Sequence, residues 1–175
     1  MGDFWVFGYG SLMWNPGFAV EARQRARMHG VHRALCIHSW VHRGTQQEPG
    51  LVLGLARGGS CTGVAFRVAA ANRESVIGYL RERELVTSVY LECWRRARLE
   101  NGEETPVLTY VADPAHEQYA GRMEDHEIAA IVKRSKGKSG ANIDYVRNTV
   151  AHLRDEGVHD PHLEAVIRAL GAEGS

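Results

Sequence analysis

The chain opens on a short run, Phe4–Gly8, in which nearly every position is aromatic or β-branched. A run without polar alternation predicts a central strand buried on both sides. It stops abruptly at Gly8-Tyr9-Gly10-Ser11. Further strand-like stretches lie at Met28–Ser39, Leu51–Ala56 and Cys61–Val68, and the last two, joined by Arg57-Gly58-Gly59-Ser60, read as a hairpin. Val89–Leu99 and Pro106–Ala112 flank Asn101-Gly102, a second hairpin signal, and Gly44–Gly50, with a proline near its end, reads as a loop.

Helical spacing enters at Arg73–Glu84, where Val76, Ile77 and Leu80 fall on one face. Three more helices are expected after the strands. Their apolar faces are Ile128, Ile131 and Val132; then Ile143, Val146, Val150 and Leu153; then Leu163, Val166, Ile167 and Leu170, with Pro161 at the start of the last. Strands come first and helices later, so the expected class is α+β: a small barrel or strongly curled sheet with helices outside.

A length of 175 residues suits one domain over 1–175, with Gly171–Ser175 expected to fray. Apolar residues at 44% and charged residues at 24% argue for a folded core and against disorder. The 21 basic and 21 acidic residues cancel, which argues against a dedicated nucleic-acid binder. No apolar run is long enough for a membrane span, and the start lacks the basic flank of a signal peptide. Cys36, Cys61 and Cys93 are odd in number and lack metal spacing, so buried free thiols in a reducing cytoplasm are expected. Nine histidines include pairs three or four apart but no third clustered ligand, and no metal site is predicted.

Two places carry candidate chemistry. The turn Gly8-Tyr9-Gly10-Ser11-Leu12 either packs Tyr9 and Trp14 as a plain tight turn or presents backbone N–H groups to an anion. Glu84 falls one turn past Leu80 on the apolar face of its helix, while Arg81, Glu82 and Arg83 lie elsewhere around it. It is either an inward carboxyl whose pKa burial raises, or a salt-bridged residue at a fraying helix end. Gly137-Lys138-Ser139 resembles the end of a phosphate loop, but Val132 stands where the loop needs glycine. Arg23, Arg25, Arg27 and Arg33 cluster early and Arg95, Arg96 and Arg98 cluster later; both groups read as solvated faces. Arg43, at the start of a loop, is a candidate to grip a substrate carboxylate.

The run Val6-Phe7-Gly8-Tyr9-Gly10-Ser11-Leu12-Met13-Trp14 resembles the signature of the ChaC-type γ-glutamylcyclotransferases. The likeness continues, in order, through His42-Arg43-Gly44-Thr45, Pro49-Gly50, Gly63–Arg67, Tyr79-Leu80 with Arg83-Glu84, and Asn142–Leu153. It implies the γ-glutamylcyclotransferase-like mixed barrel with surrounding helices. It also implies cleavage of glutathione, a small-molecule substrate, into 5-oxoproline and Cys-Gly without water or cofactor. In that reading Glu84 is the catalytic acid/base, Val6, Phe7 and the Gly8–Leu12 turn hold the γ-glutamyl part, and Tyr90 joins the site. One departure stands out: Leu85-Val86-Thr87-Ser88-Val89 lacks the glycines expected in that loop. The sequence leaves open two alternatives: the same reaction on other γ-glutamyl amines, and a non-catalytic γ-glutamyl-binding module.

Overall fold

The computed structural model describes residues 2–172. They form two compact units, residues 2–32 with 55–113, and residues 33–54 with 114–172.

The first unit is built on a closed barrel of strand order β1-β3-β2-β4-β5. The strands are β1 Phe4–Gly8, β2 Ala22–Ser39, β3 Gly50–Val68, β4 Tyr90–Leu99 and β5 Glu104–Ala112. β1 pairs antiparallel with β3, Val6 opposite Phe66, and parallel with β5, Val6 opposite Leu108. Flanked on both edges, β1 buries Val6 and Phe7 almost completely, as its unbroken apolar run requires. β4 and β5 form the expected hairpin, with Gly102 at φ 90° in the connection. α1 spans Arg73–Glu84 and buries Val76 and Leu80.

The first expected hairpin is absent. Leu51–Ala56 and Cys61–Val68 belong to one continuous strand, β3. Gly58 and Gly59 have φ 97° and 68°, so the pair kinks the strand instead of reversing it. Nδ1 of His32, on neighbouring β2, lies 3.0 Å from the Gly58 carbonyl. β2 also starts earlier than expected, at Ala22.

The second unit contains the ends of β2 and β3, the loop between them, a two-residue ribbon β6–β7, and three helices, α2 Asp125–Arg134, α3 Asn142–Asp155 and α4 Pro161–Ala172. Each helix buries one stripe: Ile128 and Val132, Val146 and Val150, Leu163 and Val166. Gly137-Lys138-Ser139 lies at the ribbon turn, where β6 pairs with β7. The buried Asn142 side chain accepts from the Leu51 amide and donates to the Leu51 carbonyl, both at 2.8 Å. Arg33, expected on a solvated face, is buried and pairs with Asp160 at 3.0 Å. Gly171 and Ala172, expected to fray, complete α4, and residues 173–175 lie outside the described residues. Among the described residues no helix is long and apolar enough to cross a membrane.

Candidate active site

The site lies in the first unit, where β1 ends and α1 ends. After Gly8 the chain makes one turn of 3₁₀ helix, Ser11–Met13, closed by the Met13 amide on the Gly10 carbonyl at 2.9 Å. The opening N–H groups of such a turn have no acceptor within it. Gly8 is required by close approach: a Cβ there would stand 2.9 Å from the Leu12 Cβ. Leu12 is buried and belongs to the apolar cluster that includes Val6, Leu80, Leu108 and Tyr110, against which Tyr90 packs. One hydrophobic assembly thus holds the turn, the strand before it and the helix that carries Glu84.

Glu84 follows Leu80 by one turn, and its side chain is only 18% exposed. Burial pushes its carboxyl above the ordinary 4.5, and the Arg83 guanidinium draws it back in part. No local pattern points to Arg83, yet Arg83 joins α1 to the turn. Its Nη2 donates to Ser11 Oγ at 2.7 Å, its Nη1 donates to the Asn15 carbonyl at 2.8 Å and the Tyr79 hydroxyl at 3.1 Å, and its Nε lies 3.6 Å from Glu84 Oε1. A planar guanidinium spreads its donors over three nitrogens and so reaches acceptors on separate segments, whereas a lysine offers all of its donors from one atom.

Tyr110 on β5 also went unnoticed in the sequence. Its hydroxyl is buried and has no hydrogen-bond partner among the described residues. Burial, then the charges of Glu92 and Glu84, hold its phenol well above the usual tyrosine value, so it remains a proton-bearing donor. Glu92 itself takes a 2.8 Å bond from Arg81 Nε. An unpaired buried hydroxyl within electrostatic reach of Glu84 is a free donor for a substrate oxygen.

The remaining sequence candidates fall as follows. Val6 and Phe7 are buried in β1, Tyr9 is 9% exposed, and Gly10 and Ser11 are more open. Tyr90 is half-buried at the start of β4. Arg43 belongs to the second unit, where its Nη1 donates to the Ala141 carbonyl at 3.2 Å and its guanidinium lies 5.6 Å from the Tyr145 ring centroid. The loop after α1 explains its missing glycines only in part: Ser88 takes φ 58°, a conformation that glycine adopts without cost.

A sequence profile for the family described as ChaC-like protein matches residues 4–173. The chain belongs to this family. A ChaC-like relative from Escherichia coli (strain K12), named glutathione-specific γ-glutamylcyclotransferase, is 33% identical over 95% of this chain and 72% of its own. A Danio rerio relative, glutathione-specific γ-glutamylcyclotransferase 1, is 35% identical over 96% of this chain and 89% of its own. The crystal structure of a γ-glutamyl cyclotransferase specific to glutathione from yeast superposes with a TM-score of 0.84 at 21% identity, covering 100% of both chains. That likeness carries the fold: the ChaC-like chain has the γ-glutamylcyclotransferase architecture.

Proposed function

We propose that the protein is a glutathione-specific γ-glutamylcyclotransferase that uses Glu84 as its acid/base. The observation that carries this reading is a carboxyl withdrawn from solvent, raised by burial, and tied through Arg83 to the turn Gly8–Leu12. The names of the relatives from Escherichia coli and Danio rerio support glutathione as the substrate.

The reaction needs little more than such a group. The α-amine of the γ-glutamyl part attacks its own γ-carbonyl carbon, forming the C–N bond of a five-membered lactam. Nucleophile and electrophile are already tethered, so orientation supplies much of the acceleration. The amine arrives as an ammonium, and ionised Glu84 removes the proton that blocks attack. The tetrahedral intermediate then expels the cysteinyl nitrogen, which takes the proton from Glu84. The ring nitrogen, still carrying one proton too many, gives it to the freed Glu84 carboxylate, which passes it to the departing Cys-Gly amine to release an ammonium. Products are 5-oxoproline and Cys-Gly, no water is consumed, and Glu84 is restored as a base. The N–H groups that open the 3₁₀ turn and the Tyr110 hydroxyl suit the substrate carboxylate or the developing oxyanion. Tyr90 borders the same cluster and suits the γ-glutamyl chain. The free cysteines suit a reducing cytoplasm.

The test is product identification. Purified protein with glutathione should yield 5-oxoproline and Cys-Gly in equal amounts. Free glutamate instead would mean hydrolysis and overturn the mechanism. A panel of other γ-glutamyl amines turned over as fast as glutathione would overturn the specificity and leave the ring closure standing.

A further inference from the structure

Two charged residues beside the proposed base take no part in the ring closure as written. Arg81 lies on α1, about one turn before Glu84. Its Nε donates to Glu92 Oε2 at 2.8 Å and its Nη2 donates to Glu92 Oε1 at 3.3 Å. Glu92 lies on β4 directly opposite Tyr110 of β5. Residues opposite one another in a sheet project to the same face, so Glu92 and Tyr110 are neighbours. That is the face on which Leu80 of α1 packs. The Arg81 fork therefore spans the seam between the helix that carries Glu84 and the strand pair that carries Tyr110.

An ordinary surface ion pair adds little to stability. This one is bidentate, which fixes direction as well as distance. It is also open on one side only: the Arg81 side chain is 59% exposed and that of Glu92 20%. Its carboxylate stands beside the Tyr110 hydroxyl, which is buried and has no partner among the described residues. The apolar contacts that seat α1 on this face carry no directional preference. A directional clasp supplies what they lack, and a misplacement of about 1 Å between reacting groups can cost about 10²-fold in rate.

The same charges act on the hydroxyl. Behind burial, Glu92 and then Glu84 oppose ionisation of Tyr110, while Arg81 favours it. β1, β3 and the 3₁₀ turn bring only apolar members to the surrounding cluster, Phe4, Val6, Val68 and Leu12, and the phenols of Tyr79 and Tyr90 pack against it.

We propose that Arg81 and Glu92 are positioning residues for the ring closure, their clasp setting the last turn of α1, with Glu84, against Tyr110. The proposal rests on the reading of Glu84 as the acid/base, and both residues act through Glu84 and Tyr110.

Two variants divide the roles. Arg81→Met keeps the Glu92 charge and removes the clasp. Its kcat for 5-oxoproline formation should fall by about tenfold or more, with KM within about twofold of the parent. Arg81→Lys offers its donors from one atom and should recover only part of that loss. Glu92→Gln keeps an oxygen for Arg81 and removes the charge. Tyr110 should then ionise at lower pH than in the parent, followed by carbon NMR of ring-labelled tyrosine, its signal assigned by its loss in Tyr110→Phe. All these Arg81 and Glu92 variants should melt near the parental temperature. The Arg154–Glu164 pair of the second unit is the control, bidentate and similarly exposed at 48% and 21%. Arg154→Met should keep the parental kcat.

Undiminished kcat in Arg81→Met, beside a parent that forms 5-oxoproline, would overturn the clasp alone. An equal loss in Arg154→Met would overturn it as well, and so would an unmoved Tyr110 titration in Glu92→Gln. A parent that forms no 5-oxoproline from glutathione would overturn the underlying reading and the clasp with it.

Discussion

Arg83 and Glu84 are neighbours in sequence with opposite effects on one carboxyl. The Arg83 Nε lies 3.6 Å from Glu84 Oε1, close enough to favour the carboxylate, while burial of Glu84 favours the neutral acid and wins. The same guanidinium reaches Ser11 at 2.7 Å, so the group that tunes the base also positions the turn.

Glu84 must be ionised to accept a proton, so the acid limb of kcat/KM should have its midpoint above 4.5. Arg83→Met removes the charge that pulls this value down, and the limb should move to higher pH. KM should rise with it, because the turn loses its tether. A limb that stays in place would remove Arg83 as the tuning charge.

Stability follows from the same shift. The folded state holds the Glu84 proton more tightly than the unfolded chain, so stability should fall as pH rises from 4.5 through the higher folded value. Glu84→Gln abolishes that fall. Urea midpoints measured against pH should be flatter in the variant. The folded variant should lose 5-oxoproline formation by about 10²-fold or more.

Tyr110→Phe separates activity from stability. The hydroxyl it removes is buried and unpaired, so the fold should be unchanged or gain up to about 1 kcal/mol. Turnover should drop by about tenfold, the loss of one donor worth about 1.4 kcal/mol in the transition state. Undiminished kcat would show that the hydroxyl never meets the reacting atoms.

Ser88 holds a left-handed conformation at φ 58°. Ser88→Gly should therefore stabilise the protein by about 0.5–1 kcal/mol, and Ser88→Val should destabilise it by more, both read from thermal melts.

The Arg33–Asp160 pair is buried on both sides, at 1% and 11% side-chain exposure. Arg33→Met alone should cost about 3–5 kcal/mol, because the Asp160 charge is left without its partner. Adding Asp160→Asn keeps an oxygen for the Leu163 amide and should recover most of that loss. Purely additive effects in the cycle would mean the pair is uncoupled.

The sequence revealed α1 and put Glu84 on the apolar face with Val76 and Leu80, with no breaker between them, but left open whether the carboxyl turns inward or pairs at a fraying helix end, because a periodic pattern weakens at the last turn. It misread Gly58-Gly59 because left-handed glycines serve a kink as well as a reversal, and only the neighbouring strand decides which. The first six residues of β2, 22–27, were missed since their inward side is marked only by Ala22, Gln24 and Ala26. Arg83 was passed over because its partner Ser11 lies 72 positions away, beyond any local pattern. Tyr110 sits in a run buried on every side, where alternation cannot single out one hydroxyl.

The order of synthesis gives the second unit a particular history. Residues 33–54 leave the ribosome early, but the groups that complete them come late. Arg33 waits 127 positions for Asp160, and Leu51 and Leu53 wait 91 and 92 positions for Asn142 and Tyr145. The nascent chain therefore carries both parts of the Glu84 site before the helices that cover this early insert exist. Closing so wide a span is entropically slow, and chaperone capture or premature cleavage in the growing polypeptide should concentrate on residues 33–54.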